Sequence, residues 1–248
     1  MGLAVSRRVR VGDLFDKPCL RQRIQQSWTS KNIQNHGVSN HQEEDRSTLQ
    51  TWILKLAAKD LILFLKTEHQ NLALIQEWNV LEVMSGNLNA SNFVYETLMQ
   101  GDLKCPITWL ATDVIQWKTN NPNFPFQKCH AVDAVAKYGL DSNILLLISP
   151  PPHAMSSIPK DECEIKNDVG YSDFFACYDY IEQTKIVKKP KFIVFVGELG
   201  ASDGSEGMYC FLMEHANLNL RHRSMLYETI DMYLLPLEKE LFIFEIKP

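Results

Sequence analysis

Apolar positions recur along the chain at two spacings, and together they lay out an alternation of helices and strands. From Ser47 the spacing is helical, with Leu49, Trp52, Ile53, Leu56, Ala57, Leu61, Phe64 and Leu65 falling on one face. Asp45 or Ser47 can cap this helix, which is expected to run to about Ala73. A short apolar strand is expected over 79–84, with Glu82 inside it, leading into a turn around Gly86. Helical spacing resumes at Ala90, Phe93, Val94 and Leu98, and Gly101-Asp102 stops it. A second strand is expected over 107–112, closing at Asp113, followed by a loop marked by Asn120-Asn121-Pro122-Asn123. A third is expected over 127–132, closing at Asp133, before a short helix over 133–138 ended by Gly139.

The segment 143–148 carries the continuous apolar run Ile144-Leu145-Leu146-Leu147-Ile148 and reads as a central strand buried on both faces. Ser149-Pro150-Pro151-Pro152 follows it, then a polar loop over 153–170. Ser172 is placed to cap a helix carrying Phe174, Phe175, Tyr178 and Ile181. A fifth strand over 191–197, an acidic Gly/Asp/Ser loop over 198–205 and a helix over 206–216 come next. Two last strands, 221–229 and 239–246, flank Pro236. Strand–helix alternation closed by two neighbouring strands implies a three-layer α/β/α sandwich. Its seven-stranded sheet is mostly parallel, with a C-terminal antiparallel hairpin.

Composition narrows the class. At 248 residues, 45% hydrophobic and 22% charged, the chain can bury one large core. A net charge of −5 argues against gripping nucleic acid by bulk electrostatics, so no stable DNA binding is expected. The charge is uneven: Arg7, Arg8, Arg10, Lys17, Arg21, Arg23 and Lys31 face only Asp13 and Asp16 in the first 40 residues. Residues 1–44 therefore read as a basic, flexible arm and 45–248 as the folded domain with its covering helix. The six cysteines form no CxxC and no metal-spaced cluster with histidine, which suits reduced thiols in a cytoplasmic setting and gives no metal site. The most apolar run, 52–65, is broken by Lys55, Lys59 and Asp60, so no transmembrane segment is expected. Met1-Gly2-Leu3-Ala4-Val5-Ser6 fits the N-myristoylation pattern at Gly2, followed by the basic cluster Arg7-Arg8-Val9-Arg10; chance also produces such short matches.

The candidate chemistry lies at the strand ends. Glu82-Val83-Met84-Ser85-Gly86-Asn87-Leu88 joins a strand to a helix through a glycine turn, the usual cradle for a nucleotide-like ligand. Over about 75–248 the chain resembles the Rossmann-like, S-adenosylmethionine-dependent methyltransferases of the seven-stranded class. Their first strand ends in E-x-G-x-G-x-G; here the middle glycine is present as Gly86, and Leu88 stands at the third. The resemblance implies that Glu82, Ser85, Gly86 and Asn87 form the cofactor turn. It implies that Asp113 holds the ribose hydroxyls with both oxygens, and that Asp133-Ala134 meets the adenine amino group. Ser149-Pro150-Pro151-Pro152 resembles the [D/N/S]-P-P-[Y/F/W] motif of enzymes methylating nitrogen, with Pro152 at the aromatic position. Ser149, Pro150 and Pro151 are the implied catalytic residues, accepting hydrogen bonds from the target N–H. A stiff polyproline exit from a central strand is the plain alternative.

The implied activity is methyl transfer from S-adenosylmethionine to a small-molecule, protein or RNA acceptor by in-line displacement. A non-catalytic member of the fold, acting as a cofactor-sensing or partner-binding module, is the competing reading. No G-x-x-x-x-G-K-[ST] and no intact G-x-G-x-x-G is present, which sets aside the common nucleotide triphosphatase and dinucleotide oxidoreductase signatures.

Overall fold

The computed structural model describes residues 40–72, 75–86, 88–103, 105–115, 121, 123–150, 172–187, 189–198, 203–226 and 239–247. Residues 1–39 of the expected basic arm, with Gly2 and its myristoylation pattern, and Asn87, Pro151 and Pro152 lie outside these residues, whereas 40–44 are helical.

A long helix, α1 (Asn40–Asn71), leads into β1 (Trp78–Val83) and α2 (Asn89–Met99). Then come β2 (Ile107–Asp113), β3 (Phe126–Lys128), α3 (Ala131–Tyr138) and β4 (Ile144–Ile148). The chain ends with α4 (Ser172–Thr184), β5 (Lys191–Gly197), α5 (Glu206–Glu214), β6 (Leu218–Met225) and β7 (Glu240–Ile246). The seven strands form one sheet in the order β3-β2-β1-β4-β5-β7-β6. β1 through β5 pair in parallel, and β7 lies antiparallel between β5 and β6. The three-layer sandwich and its late antiparallel hairpin therefore stand as expected.

Strand alternation sorts the core into two layers. Trp78 and Val80 of β1 face one way and join Ala57, Ala58, Leu61 and Leu65 of α1 and Val94 and Leu98 of α2. On the other side α4 buries Phe174, Ala176, Cys177, Tyr180 and Ile181, with Phe174 edge-on to Phe211 of α5 at 5.0 Å. Every residue of β4 and β5 is buried, as the unbroken apolar runs require. Because β2 and β4 flank β1 on opposite sides, the crevice at the carboxyl ends of β1 and β4 is the topological switch point, where ligands of open α/β sheets bind.

Several boundaries differ from the pattern-based expectation; Ser172, for one, is the first residue of α4 and not its cap. α1 begins at Asn40, so Asp45 and Ser47 are internal to the helix and not its caps. β6 starts at Leu218, earlier than expected, and pairs with β7 across a bulge between Leu220 and His222. β3 ends at Lys128, and α3 starts at Ala131 because His130 caps it, its Nδ1 accepting from the Val132 N–H at 3.4 Å. Ala131, Ala134 and Val135 are buried at helical spacing, which overrides the extended reading of 131–132. Among the described residues no helix is long and apolar enough to cross a membrane.

Candidate nucleoside-binding site

The turn after β1 carries an unusual backbone. Met84, Gly86 and Leu88 all take positive φ, at 58°, 59° and 65°. These are the three positions that glycine fills in the pattern E-x-G-x-G-x-G, so the turn keeps the glycine conformation at two positions without glycine. Each left-handed non-glycine residue costs about 1 kcal/mol or more. A Cβ built at Gly86 meets nothing within 4 Å, which leaves open space over the middle of the turn.

The same geometry predicts opposite outcomes for two glycine substitutions. Met84 is half-buried, so Met84→Gly trades about 1 kcal/mol of relieved strain against a partial loss of packing and comes out near neutral. Leu88 is buried in the core against α2, so Leu88→Gly loses that burial and costs about 2 kcal/mol net. Denaturant unfolding of both variants checks the contrast.

Asp113 closes β2 beside this turn. Its Oδ2 accepts from the Gly86 N–H at 2.9 Å and its Oδ1 from the Ile115 N–H at 2.9 Å. The two bonds fix the plane of a half-buried carboxylate at the strand end. Ser85 is held by two bonds to the Thr112 carbonyl, from its N–H at 3.1 Å and its hydroxyl at 3.2 Å. Turn and acid are thus one unit, assembled across neighbouring parallel strands.

Glu82 does not face that crevice. It is fully buried beneath α2, where its Oε1 accepts from the Ser91 hydroxyl at 2.8 Å and its Oε2 from the Trp109 indole N–H at 2.9 Å. Burial pushes its carboxyl up to about 8, against the lowering effect of the two hydrogen bonds; the Asp113 charge adds to the rise. Asp133 and Ala134 sit within α3 and not at a strand end: Asp133 is an exposed first-turn residue, and Ala134 is wholly buried. The residues that leave the carboxyl end of β3 are Cys129 and His130, and the Cys129 N–H donates to the Asp113 carbonyl at 2.9 Å. Pattern reading passed over His130, whose Nε2 lies 3.0 Å from the Ser172 hydroxyl.

On the far side of the switch point, Ser149 takes φ 43° and its N–H donates to the Val196 carbonyl at 2.7 Å. The Pro150 carbonyl accepts from the Gly204 N–H at 2.7 Å. Gly204 lies in a heavily braced turn. Asp203 accepts from the Glu198 N–H and from the Lys239 ammonium, while buried Asp173 accepts from the Ser205 N–H and hydroxyl and from the Phe174 N–H. No local spacing announces Asp173, Asp203 and Lys239, because each finds its partner only in the folded chain.

Strand order, the antiparallel seventh strand and the three positive-φ positions after β1 are now in place. The fold is the Rossmann-like methyltransferase fold. No protein-family model matches the chain, and no curated protein matches it. Solved structures do align. A protein from Listeria monocytogenes described as a "putative class I S-adenosylmethionine-dependent methyltransferase" aligns at 12% identity and TM-score 0.42, over 77% of this chain and 60% of its own, less than two thirds of its length. An rRNA methylase from Streptococcus thermophilus aligns at 11% identity and TM-score 0.41, over 73% and 96%. Magnesium protoporphyrin IX methyltransferase from Synechocystis, with bound S-adenosylmethionine, aligns at 9% identity and TM-score 0.45, over 95% and 94%. Likenesses this distant carry no functional argument.

Proposed function

We propose that the protein is a methyltransferase that binds S-adenosylmethionine over the Met84–Leu88 turn and methylates an acceptor, a nitrogen in the simplest reading, held beside Ser149 and Pro150. The observation that carries this reading is the open space above Gly86 next to the oriented Asp113 carboxylate. A ribose diol suits a carboxylate fixed in that plane, and Gly86 lets a ligand approach the backbone closely. When bound, the cofactor supplies an electrophilic methyl on sulfonium sulfur. The chain's own residues then have to orient the acceptor and exclude water. Asp113 with Ser85, Gly86 and Asn87 would hold the nucleoside, and the loop beginning at Cys129 and His130, with Asp133 and Ala134 behind it in α3, would border the adenine. Ser149 would orient the acceptor, with Pro150 and Pro151 stiffening the exit from β4.

The acceptor class is a small molecule, protein or RNA; the negative net charge favours the first two unless the basic arm does the gripping. A cytoplasmic location accords with the thiols of Cys105, Cys129 and Cys177, which burial pushes upward.

One observation favours the competing, non-catalytic module. The Pro150 carbonyl, which the nitrogen-methylating motif would offer to its target, already accepts from Gly204. Calorimetric titration of S-adenosylhomocysteine into the wild type and Asp113→Ala tests the cofactor site. Losing charge-assisted bonds to the ligand is expected to weaken binding about tenfold to a hundredfold. Silence from a folded wild type would overturn the reading. Binding without turnover on any acceptor would select the module.

A further inference from the structure

α2 starts without the side chain that normally anchors a helix. Its N-cap is Leu88, in the left-handed region, whose side chain offers no capping hydrogen bond. The turn that feeds it is also strained at Met84 and Leu88. Something must hold this turn against the sheet. Glu82 reaches up from β1 into the first turn of α2, through the hydroxyl of Ser91, the third residue of the helix. Its other oxygen is tied to Trp109 on β2, and its own carbonyl accepts from the Thr112 hydroxyl at 2.9 Å. Glu82, Ser91 and Thr112 are each fully buried, and Trp109 nearly so, so this bridge is shielded from solvent and from any ligand in the crevice.

Resting on the reading of the site as a cofactor turn, we infer that Glu82 is a positioning residue: it never touches the ligand, but its carboxyl group pins the uncapped start of α2 to β2 and thereby holds the Met84–Leu88 turn in its binding shape. The bridge requires a group that presents one oxygen to the indole N–H and one polar atom to the Ser91 hydroxyl. A hydroxyl both donates and accepts, so a carboxylic acid and a primary amide fit equally, and a charge is not needed.

The test uses Glu82→Gln, Glu82→Ala and Ser91→Ala in the full chain, with two readouts. One is hydrogen exchange of the amides in the first turn of α2, compared with those in its last turn. The other is the affinity for S-adenosylhomocysteine. Glu82→Ala and Ser91→Ala are expected to speed first-turn exchange about tenfold and weaken binding by a similar factor, the size expected for one buried hydrogen bond to a carboxyl group. Glu82→Gln is expected to exchange no faster than wild type and to bind within about threefold of it, since it rebuilds both bonds. Ser91→Ala carries the test if Glu82→Ala does not fold. Unchanged exchange in Ser91→Ala would overturn the inference. Loss of binding in Glu82→Gln with slow exchange would also overturn it, because the carboxylate itself would then contact the cofactor. If the wild type binds no S-adenosylhomocysteine, the methyltransferase reading fails by itself, and the exchange pattern still decides whether Glu82 anchors the turn.

Discussion

Glu82→Gln is expected to stabilise the folded protein by about 3 kcal/mol at pH 7 and to flatten its loss of stability with rising pH. In the folded chain burial raises the Glu82 carboxyl to about 8, whereas in the unfolded chain it titrates near 4.5. A carboxyl whose folded value is raised binds its proton more tightly in the native state. Its contribution is therefore fully favourable below about 4.5, declines as pH rises from there to about 8, and is constant above that. At pH 7 most of that decline has already occurred. Glutamine has no proton to lose. Its carbonyl oxygen can accept from Trp109 and its amide can donate to Ser91, so the bridge is kept without the cost of a buried ionisable group. Unfolding by urea at pH 5, 7 and 8.5 measures both parts. The wild type should weaken across the series and the variant should not, apart from changes common to both. A variant less stable than wild type at every pH would mean that Glu82 is held as an anion.

The second large effect is expected at Asp173. Its carboxylate is buried, and it accepts from the Ser205 N–H at 2.5 Å, the Ser205 hydroxyl at 2.8 Å and the Phe174 N–H at 2.8 Å. Ser205 in turn caps α5 through the Met208 N–H at 3.1 Å. Asp173→Ala leaves two backbone N–H groups and a hydroxyl without their acceptor in a dry place, at a cost of about 4 kcal/mol. Burial raises the Asp173 carboxyl only against the lowering pull of these hydrogen bonds, so the carboxylate is well matched to its donors. Because Gly204 lies between Asp203 and Ser205 and donates to Pro150, the damage should reach the exit of β4 as well. Thermal unfolding reports the first loss. Faster exchange of the Gly204 amide reports the second. Asp173→Asn should recover part of the stability, since one oxygen remains to accept.

The strand-end acids show how far pattern reading carries. Asp113 was legible because an apolar run ending in a polar turn is a local signal, and the structure places it at the last residue of β2. Asp133 was misplaced because 127–132 can be read as extended or as the start of a helix; the His130 cap and the buried Ala131, Ala134 and Val135 settle it as helix. Lys191 opens the strand expected over 191–197. It is fully buried, with its ammonium donating to the Gly139 carbonyl and lying 4.6 Å from the centre of the Tyr180 ring. Burial lowers it to about 8, and no neighbour in sequence hints at that environment.

What the chain determines by itself is the order of the described elements, the site of the turn after β1 and the place of Asp113 at the end of β2. Each of these depends on side-chain spacing within a window of about ten residues, where burial periodicity and glycine are decisive. Only the tertiary structure decides that Met84 and Leu88 adopt glycine's conformation, that Gly86 donates to Asp113, that Glu82 turns inward beneath α2, and that Gly204 occupies the Pro150 carbonyl. Those outcomes depend on which polar groups meet across the sheet once water is excluded. A buried donor must then take whatever acceptor the packing brings to it.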